Sequence, residues 1–383
     1  MHHATVPEID PAELARQLEH GDAVQVLDIR APGSVAAGRI ELASDGLFHN
    51  IVGSRLATVR SADDLGLDRG VPVAVVCAHG NSSLPAAAFL RQLGLDAKSL
   101  RGGMAAWMQL CLQRELPAPP SVDALIQLDR IGKGALGYVL VSDGAALVVD
   151  APRDWSAYRA AAEAAGARIV GVADTHCHAD YISGGPALAG ALGVPYYLHP
   201  ADAVYPYDGT PGRLRFEPLD PARTLPVGRA RVHVLHTPGH TEGSVTFTVD
   251  DAVALTGDFV FVASVGRPDL AGRAEEWTTT LWNSLESARA SWNDDMLICP
   301  AHYASERERN VNGAVCARFG DIRASNQGLE PNDHEQFAAW VRKHTATFPD
   351  SYRAIKAVNV GLLTVDDFEA EVLETGKNEC AVA

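Results

Sequence analysis

No apolar run in this 383-residue chain approaches the ~20 residues a membrane-spanning helix needs, so no such helix is expected. The N-terminal stretch MHHATVPEIDPAEL contains no apolar core of a signal peptide. Basic charge is in short supply. Lys and Arg number 32 against 48 Asp and Glu, giving a net charge of −16 and an isoelectric point near 5.3. That balance argues against nucleic acid or an anionic membrane surface as partner. The six cysteines (Cys77, Cys111, Cys177, Cys299, Cys316 and Cys380) never fall in a CxxC pair. With no export signal, they read as free thiols in a reducing cytoplasm. Internal repeats and low-complexity tracts are lacking too.

The apolar share, 47%, is ordinary for a globular protein, and the length suggests two or three domains. In the first segment, VQVLDI (Val24–Ile29) and VPVAVVC (Val71–Cys77) read as buried strands. LPAAAFLRQLG (Leu84–Gly94) reads as a helix with Pro85 in its first turn and Gly94 at its stop. Strand and helix in alternation predict a parallel α/β layer over residues 1–115. LPAPPS (Leu116–Ser121) has three prolines in six residues and reads as a stiff linker over 116–121. The second segment, 122–383, opens with two alternating apolar runs around Asp143-Gly144, a hairpin signal. Helices are expected at Trp155–Ala165, Pro186–Leu192 and about Glu275–Ala290. Strands are expected up to Thr175, at Tyr196–His199, three times between Arg231 and Asp258, and at Met296–His302. From about Phe319 a polar, partly helical C-terminal extension follows. Hairpins mixed with β-α-β units predict sheets covered by helices.

Four places in the second segment carry ligand-type residues where a strand meets a loop. They are THCHAD (His176, His178, Asp180), HTPGH (His236, His240), TGD (Asp258) and PAH (His302). Side chains at strand ends on one rim of a sheet converge, as a metal site requires. His233 reads as solvated, and His199 and His236 as packing or supporting residues. Cys177, between two such histidines, is open to oxidation or points the other way.

The pattern resembles the metallo-β-lactamase fold superfamily over most of Val122–Tyr303, which implies an αββα sandwich with metal at one edge. THCHAD, HTPGHTEGS and TGDFVFVASVGRPDL look like the persulfide dioxygenase branch. That resemblance implies one Fe(II) held by His176, His240 and Asp258, with His178, Asp180, Tyr181 and His302 supporting the ligands and Arg267 and Tyr303 at the substrate. Zinc is the alternative metal. Two histidines and a carboxylate on one face of Fe(II) leave open positions for a persulfide and O2. Tyr181 stands where hydrolytic members have a histidine on a second metal, and a phenol is a poor zinc ligand. Packing and hydrogen bonding are both open to Tyr181. For Arg267 the alternative is an ion pair with Asp269.

VVCAHGNSSLPAAAFLRQLG places Cys77 at the end of a buried strand, before a loop whose N–H groups form an anion cradle at a helix start. With VQVLDIRAPGSVAAGRI and LRGGMAAW in this order, Ile9–Glu115 resembles a rhodanese domain. The resemblance implies sulfur transfer through a persulfide on Cys77, although Ser82 stands where many such loops have arginine. His79 is the nearest substitute.

The resulting expectation is a cytoplasmic two-domain sulfur enzyme. It would oxidise a low-molecular-weight persulfide with O2 to sulfite and thiol, and move sulfane sulfur with thiosulfate or sulfite as partners. The alternatives are a zinc hydrolase of the glyoxalase II type and a non-catalytic sulfur carrier with a structural metal. The thiol carrier and the state of oligomerisation are left open. Cys380 reads as a disordered tail cysteine rather than a resolving thiol.

Overall fold

The computed structural model describes residues 6–56, 58–221, 223–345 and 347–382. The first five residues of the stretch inspected for a leader lie outside the described residues. The chain divides into two compact units. One takes in the chain up to Leu112 with 130–133 and 375–377; the other takes in 113–129, 134–374 and the residues from 378 on.

In the first unit a five-stranded parallel sheet runs in the order Glu8–Ile9, Ala97–Leu100, Val73–Val76, Gln25–Asp28, Phe48–Asn50. Val73–Val76 is buried along its whole length, as its unbroken apolar run requires when both faces are covered. One face packs Leu14, Leu18, Met104 and Trp107; the other packs Leu56, Leu65, Ala87 and Leu90. Each of these leucine and methionine side chains contributes ~1.5–3 kcal/mol when fully buried. This is the parallel α/β layer expected of the first segment.

Two sheets make up the second unit. The larger has seven strands, in the order Glu217–Pro218, Tyr196–Leu198, Arg168–Ala173, Ala145–Val149, Ala135–Ser142, Ala124–Arg130, Cys111–Leu116. The smaller has six, in the order Thr224–Val227, Ala230–His236, Val245–Val249, Val253–Gly257, Leu297–Pro300, Ala317–Arg318. Leu125, Leu136, Leu140 and Leu147 of the first sheet meet Val232, Val234, Phe247 and Leu255 of the second in one core. Helices Ser156–Ala164 and Gly185–Leu192 cover the outer face of the larger sheet. Helices Ala274–Ser291, Phe319–Ser325 and His334–His344 cover the smaller one. This is the αββα sandwich expected.

The predicted hairpin turn is present, with Asp143 (φ 50°) and Gly144 (φ 68°) both left-handed. No helix among the described residues is long and apolar enough to cross a membrane. One correction concerns the tail. Cys380 is fully buried, packed with Ala179, Leu270 and Tyr352 rather than disordered. Its backbone is held by Arg267 N–H on its carbonyl at 2.8 Å, and isolated pairing joins Ala381 to Gly266. The apolar neighbours and backbone partners lie far away in sequence, so the polar tail gave no sign of them.

Gly266 ties this pairing to the site. A Cβ there would lie 1.8 Å from the Asp258 carbonyl oxygen and 3.1 Å from His240 Cβ. Gly266→Ala is therefore expected to destabilise the second unit by ~3 kcal/mol, read by urea denaturation. A change within experimental error would show that the backbone there yields.

Candidate metal centre and thiol loop

The ligand-type residues come from both sheets. His176, His178 and Asp180 follow the strand Arg168–Ala173 of the larger sheet. His240, Asp258 and His302 follow the strands Ala230–His236, Val253–Gly257 and Leu297–Pro300 of the smaller one. All six side chains are buried.

Three of them converge. His176 Nε2 lies 3.6 Å and His240 Nε2 3.3 Å from Asp258 Oδ2. Donor atoms on one ion at bond lengths of ~2.1 Å sit about 3.0–3.5 Å apart, so 3.3 Å fits a shared ion and 3.6 Å is within about 0.1 Å of doing so. Each of these three atoms is buried without a hydrogen-bond partner. An orphaned buried polar atom costs ~1–3 kcal/mol, and three facing one point are what a cation would satisfy. The other end of each of these three side chains is fixed. His176 Nδ1 lies 2.9 Å from Thr175 Oγ1, whose own proton goes to Asp150 Oδ2. His240 Nδ1 lies 2.9 Å from the Arg267 carbonyl oxygen. Both partners accept from an Nδ1–H, so both Nε2 lone pairs are left for a ligand. Asp258 Oδ1 is 2.6 Å from His302 Nδ1.

The electrostatics agree with this assignment. Burial, helped by His178, pushes the His176 imidazole down. Burial, with His176 and Lys356, pushes His240 well below its usual value, so both rings are neutral near pH 7. Burial alone would raise Asp258, but His302, His176 and His240 outweigh it and hold the carboxylate well below its ordinary range. His302, despite burial, is raised to about 10 between Asp180 and Asp258. Its Nε2 is 3.0 Å from Asp180 Oδ2.

His178 turns away from the three. Its Nε2 meets Asp150 Oδ1 at 3.1 Å and Tyr181 Oη at 2.8 Å, and its ring stacks on Tyr181 with centroids 4.3 Å apart. Tyr181 is thus hydrogen-bonded as well as packed. Its hydrogen-bond path to His176 runs through His178, Asp150 and Thr175.

Arg267 makes a bidentate ion pair with Asp269, both contacts at 2.7 Å, while its carbonyl holds His240. The Tyr303 phenol meets Asp129 at 3.2 Å and the Arg309 guanidinium. His233 and His236 are exposed. The His236 ring stacks on His199 at 4.5 Å, and neither joins the three converging residues. Cys177 lines a cavity of about 180 Å³ with Asp202, Tyr207, Thr241, Trp277 and Lys356, and burial pushes its thiol up to about 12.

Three residues that hold the site were missed in the sequence. Asp150, left-handed at φ 56°, also accepts the Thr175 N–H at 2.7 Å. Asp202 accepts from Cys177 N–H at 2.6 Å, Thr241 Oγ1 at 2.7 Å and Gly243 N–H at 2.7 Å, and so joins the loops of His176 and His240. Asn359, from helix Ser351–Asn359, donates to the carbonyls of His178 and Tyr181, both at 2.9 Å. Each is a single common letter with distant partners. Only Asp150, directly after a hairpin strand, stood at a strand end as the ligands do.

In the first unit Cys77 follows Val73–Val76. Its Sγ receives the N–H groups of Gly80 at 3.1 Å and Ser83 at 3.3 Å, and lies 3.2 Å from Ser83 Oγ. Helix Ser83–Gln92 starts at this loop. Burial raises the thiol, but the Ser83 hydroxyl and the N–H groups of Ser83, His79 and Ser82 outweigh it and bring it below its ordinary value. His79 and Ser82 are exposed beside it.

A model of the metallo-beta-lactamase superfamily matches residues 132–302. The hydroxyacylglutathione hydrolase of Acidiphilium cryptum (strain JF-5) is 34% identical over 195 residues, 48% of this chain and 73% of that protein. The chain belongs to the metallo-beta-lactamase superfamily. A rhodanese-like domain model matches residues 10–110, so a rhodanese-like domain precedes the superfamily domain. The human mitochondrial persulfide dioxygenase ETHE1 is 32% identical over 170 residues, 41% of this chain and 62% of that protein. Among solved structures, a metallo-beta-lactamase from Staphylococcus aureus subsp. aureus COL matches with TM-score 0.54 and 24% identity. It covers 67% of this chain and 74% of that one, a likeness of fold.

Two outcomes follow. Tyr181→Phe should cost ~1 kcal/mol in urea denaturation through the lost bond to His178, with metal content unchanged. A fall in metal content would make Tyr181 part of the ligand support. Cys77 should alkylate with a pH midpoint below that of an ordinary cysteine thiol, and Ser83→Ala should move that midpoint upward. An unmoved midpoint would mean that the serine does not stabilise the thiolate.

Proposed function

We propose that this chain oxidises a low-molecular-weight persulfide, glutathione persulfide or a similar one, at a single Fe(II) held by His176, His240 and Asp258. Its rhodanese-like domain would carry sulfane sulfur on Cys77. The observation that carries the reading is the set of three buried, unpartnered atoms, two imidazole Nε2 and one carboxylate Oδ2. Two neutral nitrogens and one carboxylate oxygen suit Fe(II), and three protein ligands leave open positions. Iron bound there would supply sites for a soft persulfide sulfur and for O2. Persulfide, O2 and one water give thiol, sulfite and two protons, with the outer sulfur oxidised and O2 reduced.

The chain's own groups do the positioning. Thr175 and the Arg267 carbonyl fix the tautomers of His176 and His240. His302 holds Asp258 so that only Oδ2 faces the two histidines. Asp202 keeps the two loops in register. The Arg267–Asp269 pair stiffens the segment that holds His240, and the arginine would reach a substrate carboxylate only by sharing Asp269. Tyr303 would meet substrate through the same polar group as Asp129 and Arg309. On Cys77, a terminal persulfide anion would lie among the N–H groups of Gly80 and Ser83, which supply donors in place of the absent arginine.

The 34% identity to a hydroxyacylglutathione hydrolase favours a second reading, a zinc thioesterase with a rhodanese-like accessory domain. Tyr181, bound to His178, offers such a site no nitrogen from the loop. Metal analysis combined with O2 uptake on glutathione persulfide separates the two. Iron, persulfide-dependent uptake and sulfite release are expected, with loss of turnover by at least ~100-fold in Asp258→Ala. Zinc, thioester cleavage and no persulfide-dependent uptake would establish the hydrolase instead.

A further inference from the structure

The proposed reaction makes no use of Cys299 or Cys316, yet the smaller sheet sets these two free thiols side by side. In its last antiparallel pair, Leu297 stands opposite Arg318 and Ile298 opposite Ala317. The same register, carried one residue further, puts Cys299 opposite Cys316. Phe319 N–H donates to the Met296 carbonyl at 2.8 Å, so the hydrogen-bonded pairs are Met296–Phe319 and Ile298–Ala317. Cys299 and Cys316 are then a pair without ladder hydrogen bonds. In such a pair the Cα atoms lie about 4.5 Å apart and the side chains share a face. A disulfide joins Cα atoms ~4.4–6.8 Å apart. Both side chains belong to one apolar core with Tyr138 and Val315, and negative charge on Cys316 would press on Cys299.

We propose that a low-molecular-weight persulfide closes Cys299 and Cys316 to a disulfide, and that closure loosens the hold of His302 on Asp258. Cys316 reacts first. It is 7% exposed whereas Cys299 is fully buried, and it follows the exposed residues Val311 and Asn312. Burial pushes its thiol up to about 11, and the Asn310 amide, which donates to its Sγ at 3.5 Å, opposes that rise. A small thiolate fraction makes the step slow, so it follows sustained persulfide rather than a single encounter. The Cys316 thiolate attacks the outer sulfur of the persulfide, releases the thiol and becomes a persulfide itself. The Cys299 thiolate then attacks the inner sulfur and expels hydrosulfide. Two cysteine thiols and one persulfide give one disulfide, one thiol and one hydrogen sulfide. The cysteine sulfurs are oxidised and the sulfane sulfur is reduced.

The coupling to the site runs through two buried side chains of the larger sheet. Gln127 binds Val315, next to Cys316, accepting its N–H at 3.0 Å and donating to its carbonyl at 2.9 Å. Gln127 also donates to Tyr138 Oη at 3.1 Å, and that phenol donates to the carbonyl of Pro300, next to Cys299, at 2.5 Å. Gln127 and Tyr138 therefore hold the two cysteine-bearing segments at the spacing of reduced thiols. Opposite Cβ atoms stand ~4.5–5.5 Å apart, against ~3.8 Å in a disulfide, so closure draws one segment inward by about an ångström. Two residues beyond Pro300 stands His302, whose Nδ1 holds Asp258 Oδ1 at 2.6 Å. A shift of that strand lengthens this contact and frees the carboxylate to turn.

The oxidant is of the class proposed as substrate, and to that extent the switch rests on the persulfide reading. The test is run without O2 and without turnover, so the two fail separately. The full chain, reduced, is treated anaerobically with glutathione persulfide whose sulfane sulfur has been assayed by cyanolysis. It is then unfolded in iodoacetamide and digested with trypsin. Arg307 and Arg309 place the two cysteines in different peptides. A linked pair of these peptides is expected, lost again on treatment with dithiothreitol. In Cys316→Ser, Cys299 is expected to stay reduced; Cys316→Ala repeats the test with a side chain that suits the core. The treated, metal-free chain is expected to bind Co(II) about tenfold more weakly, the lower end of the effect of disturbing a group that orients a ligand. Reduction should restore the affinity, and Cys316→Ser should keep it through the treatment. Unlinked cysteines, a bond to a different cysteine, a linked chain of unchanged affinity, or an equal loss in Cys316→Ser each overturns the proposal.

Discussion

Asp258 is a carboxylate taken entirely out of water, and the site depends on what keeps it charged there. Burial pushes its proton affinity up; His302, His176 and His240 pull it down and win. The arrangement needs loops from two sheets to arrive within hydrogen-bonding range of one side chain. The sandwich core of Leu136, Leu140, Val232 and Phe247 joins the two sheets, and the converging side chains follow the strand ends. Packing and electrostatics are therefore one problem at this site. A shift between the sheets would leave a buried charge without its partners, a cost of several kcal/mol.

Around this centre the polar groups form chains rather than pairs. Tyr181, His178, Asp150 and Thr175 lead to His176. Asp180 and His302 lead to Asp258. The Arg267 carbonyl leads to His240. Each chain ends at one of the three converging residues and fixes the tautomer or the free oxygen that faces the others. Such support gives a site its precision, because the reacting geometry depends on groups that do not touch the reactants.

Much of this was legible in the sequence where the signal is local. The Asp143-Gly144 turn is readable because two left-handed residues are required there, and the strands because their apolar runs are short and bounded. The candidate ligands stand out because HxHxD, HTPGH and GD each put metal-type residues at a strand end. Asp150, Asp202 and Asn359 are not legible in this way. Each acts through partners that become neighbours only in the folded chain. Cys380 is the sharpest case: a polar tail with one cysteine looks disordered until Val265–Arg267 offers it backbone partners. Tyr181 could be read as a lost ligand, while its contact with His178 required the fold.

Asp202 also bears on how fast a bound ion would leave. Its two oxygens hold the loop after His176 and the loop after His240 together through three donors. An ion bound between those histidines would leave only when the loops separate, and they separate only when a buried carboxylate releases its partners. Exchange of the ion would then follow the breathing of the fold rather than the openness of the site. An ion held in this way would exchange slowly even where its equilibrium affinity is modest.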